Sequence, residues 1–294
     1  MVHVAELKQT AKHADLVYDV GMHRGEDTDY YLRKGFRVVG FEANPELAAH
    51  CRNRFADAVA SQRLVIVEGA IAELPPGGGK GGTIPFYRNK DNTVWGTASS
   101  EWAERNEFWG TSHVVVEVPI VDFAARLEQH GIPHYLKIDI EGMDTLCLQA
   151  LLPFAQKPDY VSIESEKSSL GALVQEELNL LTQLGYTRFK AVQQYGISHQ
   201  AEPNPSPERQ YVGYHFEEGS SGLFGADLPG EWQTYEALID VYHGIFVQYW
   251  LWGDYGKLTK YAPGRWLVWA MSVLLRRPLP GWYDTHARHA SVAP

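Results

Sequence analysis

An α/β fold built on a doubly wound, mostly parallel sheet is what the sequence predicts. Three observations predict it. Strand-like and helix-like segments alternate through the first two thirds of the 294 residues, a glycine turn follows the first strand, and carboxylates recur at the C-terminal ends of successive strands. Alternation of this kind implies parallel strands joined by right-handed crossovers.

The elements follow in order. Leu16–Met22 (LVYDVGM) is a short apolar run ending at a glycine turn, and Glu26–Lys34 reads as a helix stopped by Gly35. Val38–Ala43 is a second strand. Pro45 stands where a helix start tolerates proline, so Glu46–Ala58 is expected to be helical. Leu64–Ala70 is a third strand. The rhythm then breaks at Pro75–Gly82 (PPGGGKGG), a loop by its turn chemistry. Thr83–Arg88 and Val114–Val121 look like strands flanking a polar, aromatic insertion, and Ala124–His130 looks helical. Tyr135–Ile140 and Tyr160–Ser165 are strands with a helix, Thr145–Leu152, between them. Leu173–Leu184 is a further helix and Thr187–Gln193 a last strand.

From about Ala201 the texture changes to a proline-rich loop followed by aromatic clusters that include Tyr242, Phe246, Tyr249, Trp250, Trp266 and Trp269. The chain is therefore divided into residues 1–200, which hold the sheet, and residues 201–294, a helical, aromatic-rich C-terminal extension that covers the acceptor side of the site. Tyr242, Phe246, Tyr249 and Trp250 follow helical spacing and read as core, although tryptophan and tyrosine also stack on sugar faces. Arg265–Arg277 fits either a buried helix or one lying at a membrane surface.

Composition narrows the function. Apolar residues make up 45% and charged residues 21%, enough for a packed core. The net charge is -10 and the basic residues are scattered, whereas a nucleic-acid footprint needs a clustered basic face, so no nucleic-acid partner is expected. Cys51 and Cys147 are far apart in helix-like segments, which suits reduced thiols rather than a disulfide or a zinc site. With no signal-like pattern at the N-terminus and no run of about 18 apolar residues, a cytoplasmic protein without a transmembrane segment is expected.

The acids carry most of the functional information. Strands of a parallel sheet are buried on both faces and should read as apolar. Here they carry Asp19, Glu42, Glu68, Asp139 with Glu141, and Glu164 with Glu166 at or near their C-terminal ends. Unpaired buried carboxylates are costly, so these belong at a wet edge, which is where open α/β sheets bind ligands. A rim of acids suits a cationic or hydroxyl-rich ligand. Gly21 and Gly25 let the turn after the first strand approach a ligand closely, and the following helix, with Thr28 in its first turn, points N–H groups at the same place. Glu42 ends the second strand, where an acid accepts hydrogen bonds from ribose hydroxyls. Together these signals point to a nucleoside ligand.

The three segments Asp19-Val20-Gly21…Gly25, Gly40-Phe41-Glu42-Ala43-Asn44-Pro45 and Leu136-Lys137-Ile138-Asp139-Ile140-Glu141-Gly142 occur in order, preceded in the third case by Val118–Asp122. In these segments the chain resembles the FkbM-type methyltransferases, class I S-adenosylmethionine enzymes. The resemblance covers about residues 14–167 and departs from the commoner pattern at Met22-His23 and Ala43. It implies a Rossmann-like class I fold, S-adenosylmethionine as cofactor, and methyl transfer to an oxygen, often on a sugar, glycan or secondary metabolite. The cofactor residues expected are Asp19, Gly21, Gly25, Thr28, Glu42, Asn44, Gly69 and Ala70.

Strand alternation puts Lys137, Asp139 and Glu141 on one face. Glu141 or Asp139 can serve as the base that a poorly acidic hydroxyl requires, assisted by Lys137. An internal ion-pair network with Lys137 explains the same residues. A third reading has Asp139, Glu141 and Glu164 holding a divalent cation such as magnesium. His23 in the turn and His286, in a segment Trp282–His286 that can fold back over the site, are the other candidate bases. A nicotinamide-dependent oxidoreductase would want G-x-G-x-x-G and an edge not crowded with acids, and neither is present. A non-catalytic nucleoside-binding domain fits less well, because Asp139 and Glu141 stand beside Lys137.

Overall fold

A computed structural model describes residues 6–73, 81–108, 110–165, 169–217, 219–253, 256–275, 279 and 281–293. Its strands are β1 (Lys12–Val20), β2 (Arg37–Glu42), β3 (Leu64–Glu68), β4 (Ala70–Ile71), β5 (Thr83–Asn89), β6 (His113–Val121), β7 (Ile132–Ile138), β8 (Tyr160–Glu164), β9 (Tyr186–Gln193) and β10 (Tyr283–His289). Seven form one sheet in the order β3-β2-β1-β7-β8-β10-β9. All neighbours are parallel except β10, which runs antiparallel to both β8 and β9. The chain winds outward from β1 through β2 to β3, then restarts beside β1 with β7 and winds the other way. The strand order reverses between β1 and β7, and in such sheets ligands bind at the C-terminal ends of the strands at that switch point. The doubly wound, mostly parallel class I fold expected from the sequence is the fold found.

Both faces of this sheet are covered, which is why β1 reads LVYDV with every residue buried. On one face Leu127, Leu148, Leu151, Leu178 and Leu181 pack from the helices against Tyr18, Leu136 and Ile163. On the other, Tyr30 and Tyr31 of the helix Glu26–Arg33 pack with Phe36 and Tyr135. A smaller sheet, β4-β6-β5, projects from the end of β3 and carries the insertion of residues 90–112.

Several boundaries differ from expectation for physical reasons. β1 begins at Lys12, four residues early, because Lys12 and His13 extend its pairing with Ile132 and Pro133. The helix expected over Glu46–Ala58 is two helices, Pro45–Arg54 and Ala56–Ala60, broken at Phe55. β7 ends at Ile138 rather than Ile140. Of the Pro75–Gly82 loop, residues 75–80 lie outside the described residues, as does Glu166.

The line drawn at residue 200 does not divide the sheet. Trp282–His286, expected to fold back over the site, instead leads into β10, which is inserted between β8 and β9. The rest of the extension packs on both faces: Phe216, Leu223, Phe224 and Leu228 join the cluster around Tyr30, while Leu238, Tyr242 and Ile245 join the opposite one. The Phe224 ring stacks on Tyr135 at a centroid distance of 4.4 Å. Lys34, wholly buried, donates to Glu202 at 2.5 Å, Ser206 at 2.7 Å and Asp227 at 2.8 Å, fastening the proline-rich loop to the helix Glu26–Arg33. Burying a lysine demands such partners.

Candidate active site

The site is built where β1 and β7 separate. Gly21 follows β1 at φ +82, and a Cβ there would stand 1.8 Å from the carbonyl oxygen of Asp139. No side chain fits, so the turn after β1 and the segment after β7 lie wall to wall. Gly25, at φ +83, is the left-handed N-cap of the helix Glu26–Arg33, and a Cβ there would meet Phe55 at 2.3 Å.

Beneath the turn lies a buried charge network. The Lys137 ammonium donates to the Gly21 carbonyl at 2.9 Å and stands 3.4 Å from Asp19, 3.8 Å from Asp27 and 3.7 Å from Asp139. Thr28 donates to the other Asp19 oxygen at 2.6 Å. Asp27 accepts the Ser221 N–H at 2.9 and 3.0 Å, which brings the C-terminal extension to the same network. Burial opposes the charge on Lys137, but Asp19, Asp139 and Asp27 outweigh it and hold the lysine protonated. Burial raises Asp19 against the pull of Lys137, and pushes Asp27 up to about 7.

On the other side of the turn, Glu42 ends β2. Its carboxylate accepts the His23 N–H at 2.9 Å and the Asn44 N–H at 2.7 Å. Burial pushes it up to about 7, and those two N–H groups pull the other way. Each oxygen keeps a lone pair for a further donor. Asn44 caps the helix Pro45–Arg54, its side chain accepting from Glu46 at 3.0 Å. Gly69, at φ +134, donates to the Glu42 carbonyl at 3.0 Å and turns the chain into β4, which begins at Ala70. Glu68, the register partner of Glu42 on β3, pairs with Arg52 at 2.7 Å.

The expectation that period-2 alternation aligns Lys137, Asp139 and Glu141 needs correction. The strand stops at Ile138, and Glu141 takes a left-handed φ of 53. Lys137 is buried under the turn, whereas Asp139 reaches solvent. What brings the acids together is a tight turn. Asp144 accepts the N–H groups of Ile140 at 2.9 Å and Gly142 at 3.0 Å. Its carboxyl is pushed up to about 7 by burial, with Glu164 and Asp139 adding to the effect. Asp139, Glu141 and Glu164 thereby present carboxylate oxygens within 4.8 Å of one another, a donor set able to take a hard cation or an acceptor's hydroxyl group.

The insertion covers this acidic turn. Thr97 donates to the Glu141 carbonyl at 2.8 Å, and Trp102 lies where Gly142 has no side chain, its Nε1 only 2.5 Å from the position of a Cβ. Thr93 meets His23 Nε2 at 2.9 Å, while His23 Nδ1 meets Glu26 at 3.1 Å. Sequence reasoning missed Asp27, Asp144 and this cover. The spacing of Asp144, three residues after Glu141 and at a helix start, was the available signal for one of them; the others depend on long-range packing. His286 is not a candidate base: it sits mid-strand in β10 between Ser162 and Lys190, buried, with its pKa lowered to about 3 by burial and by Lys190.

A sheet that reverses at β1/β7, with a glycine turn and an acid-ended second strand at the switch point, defines the site of a class I methyltransferase. The chain belongs to the FkbM methyltransferase family: the Methyltransferase FkbM domain matches residues 19–188. Over 58 residues it is 41% identical to the probable ribosomal RNA small subunit methyltransferase A of Haloarcula marismortui, a stretch covering 20% of this chain and only 20% of that protein. Among solved structures, a SAM-dependent methyltransferase from Geobacter sulfurreducens in complex with S-adenosyl-L-homocysteine is similar at 11% identity and a TM-score of 0.34, over 95% of this chain and 86% of that one. One from Archaeoglobus fulgidus is similar at 14% identity and a TM-score of 0.34, over 93% and 85%.

The methyl donor is S-adenosylmethionine, and the residues present fit it. The buried Glu42 carboxylate ends β2 at the switch point, where an acid can take ribose hydroxyls, and the carboxylates of Asp139, Glu141 and Glu164 suit a sulfonium cation.

Proposed function

We propose that the protein methylates a hydroxyl oxygen of a small acceptor, a sugar, glycan or secondary metabolite, with Glu141 as the base. The observation that carries this reading is the contact between the donor turn and the acidic turn: Gly21 and the Asp139 carbonyl share one wall, and Asp139, Glu141 and Glu164 converge beside it.

The bound donor supplies an electrophilic methyl carbon. The chain's residues do the rest. Glu42 and the Gly21 turn would hold the donor in line, which is the first requirement of a displacement, with Asp19 bracing that turn from beneath through Thr28 and Lys137. Glu141 would accept the hydroxyl proton as the acceptor oxygen bonds the methyl carbon and the methyl–sulfur bond breaks, the donor leaving as its neutral thioether. Asp139, beside Glu141, would orient the acceptor. Lys137 acts as a positioning residue, since it fixes the Gly21 carbonyl and Asp139 from below. Thr97, through the Glu141 carbonyl, and Trp102, packed against Gly142, hold the Glu141 turn in place. The ribosomal relative raises RNA as another acceptor, but a net charge of -10 and an acidic rim disfavour a polyphosphate there.

The experiment is a mass-spectrometric search for a one-methyl gain across hydroxylated sugars, glycans and metabolites incubated with protein and S-adenosylmethionine. A gain on oxygen supports the reading. Gain only on nitrogen or carbon, or only on an RNA included in the same panel, would overturn it.

A further inference from the structure

After finishing its core packing, the chain leaves the C-terminal edge of the sheet once more. Along the helix Tyr235–Trp252, Tyr235 donates to Asn179 at 2.8 Å and Tyr242 meets Ser165, the residue after β8, at 2.5 Å. The helix therefore runs toward that edge, and the ten residues after Tyr242 carry it about 15 Å further. The chain returns at Tyr283, whose carbonyl accepts the Ser165 N–H at 3.0 Å. Among the described residues, none from Trp250 to Trp282 belongs to any of the three buried clusters.

Among its described residues, this excursion presents several large apolar side chains to solvent. Trp250 is 55% exposed, Trp266 66%, Trp269 62% and Leu274 81%. Within the helix Ala262–Leu275, Trp266, Trp269, Ala270, Val273 and Leu274 recur at helical spacing and share one arc, while the buried Val268 points the opposite way. The helix thus turns its apolar face outward, which monomeric proteins seldom do over a contiguous patch. Its charge is also unlike the rest of the chain. Residues 241–282 hold five basic residues, Lys257, Lys260, Arg265, Arg276 and Arg277, against one acid, Asp254, in a chain of net charge -10. Lys257 stands 4.0 Å over the Trp250 ring, so cation and indole occupy the same surface. Among the described residues, no helix is long and apolar enough to cross a membrane.

We propose that this helical hairpin docks on an anionic lipid bilayer, laying Trp266, Trp269 and Leu274 into the headgroup region, with Lys257, Lys260 and Arg265 of the same hairpin drawn to the anionic headgroups. Tryptophan and leucine on one helical face with lysine and arginine beside them is the composition such a surface binds, and a second copy of this basic segment would be repelled by charge where an anionic bilayer is attracted.

The test is sedimentation of the full chain with phosphatidylcholine vesicles and with the same vesicles containing phosphatidylglycerol. The protein should pellet with the anionic vesicles and be released by salt, since each basic residue near such a surface is worth about fivefold in affinity. W266S/W269S should pellet at least tenfold more weakly while keeping the wild-type melting temperature and S-adenosylhomocysteine affinity, because neither side chain is in a buried cluster. Wild-type protein left in the supernatant, or pelleting unchanged in the double variant, overturns the proposal. So does a dimer in vesicle-free buffer that the double variant makes monomeric, which assigns the face to a second copy. These readouts do not depend on methyl transfer, so failure here leaves the proposed activity standing.

Discussion

Lys137 donates to the carbonyl of Gly21 across 2.9 Å, so the lysine of the third motif holds the glycine turn of the first. The same ammonium is the cation nearest the buried Asp19 and Asp27. Removing one partner of a buried ion network leaves uncompensated charge at a cost of about 3–5 kcal/mol. Lys137→Met should therefore lower the melting temperature by roughly 10 °C and weaken S-adenosylhomocysteine binding. Calorimetry and thermal unfolding check both, and a variant with wild-type stability would remove the network from the account.

Glu42 should govern cofactor affinity. A hydrogen bond to a charged acceptor is worth about 1.5–3 kcal/mol, so Glu42→Ala should weaken S-adenosylhomocysteine binding by roughly ten- to a hundredfold. The sign of the pH effect follows from the carboxyl's pKa near 7. The ionised form is the better acceptor of hydroxyl donors, so affinity should rise between pH 6 and 8. In Glu42→Gln that rise should disappear.

His134 sets a stability window. Its two ring nitrogens meet Asp159 and Glu208, each at 2.8 Å. Burial opposes its charge, but those carboxylates raise its pKa to about 9. A folded pKa above the unfolded 6.5 means the contribution is full below pH 6.5 and is lost as pH rises through 9. The melting temperature should fall across that window by the equivalent of a few kcal/mol, and His134→Ala should flatten the fall.

The C-terminal strand is indispensable to the sheet. β10 bonds to β8 and β9 at once, so a chain ending at residue 200 loses the strand between them and exposes two edges. Such a truncation should aggregate rather than survive as a cofactor-binding domain. A soluble, cooperatively melting fragment would show that the sheet closes without β10.

Much of this architecture was legible in the sequence. Asp19-Val20-Gly21 and Gly40–Asn44 announced the switch point, because a glycine turn and an acid inside apolar strands are chemically out of place there. What was not legible depended on distant pairing. Nothing local in Tyr283–His289 says that it inserts between two parallel strands. Period-2 reasoning carried Lys137, Asp139 and Glu141 along one strand face, but Asp144 ends the strand by capturing the N–H groups of Ile140 and Gly142, and this turn, not alternation, aims the acids. His286 looked available because it follows Asp284 near the chain end, and only the sheet order shows it buried.

The most direct test of the central claim is single-turnover methyl transfer by Glu141→Gln, followed by mass spectrometry on the acceptor that the wild-type protein methylates. The substitution keeps shape and removes basicity. General-base assistance contributes about 10²–10⁴ in rate, so transfer to oxygen should slow by that order while S-adenosylhomocysteine affinity stays at the wild-type value. Transfer by Glu141→Gln within a fewfold of wild type would contradict the account.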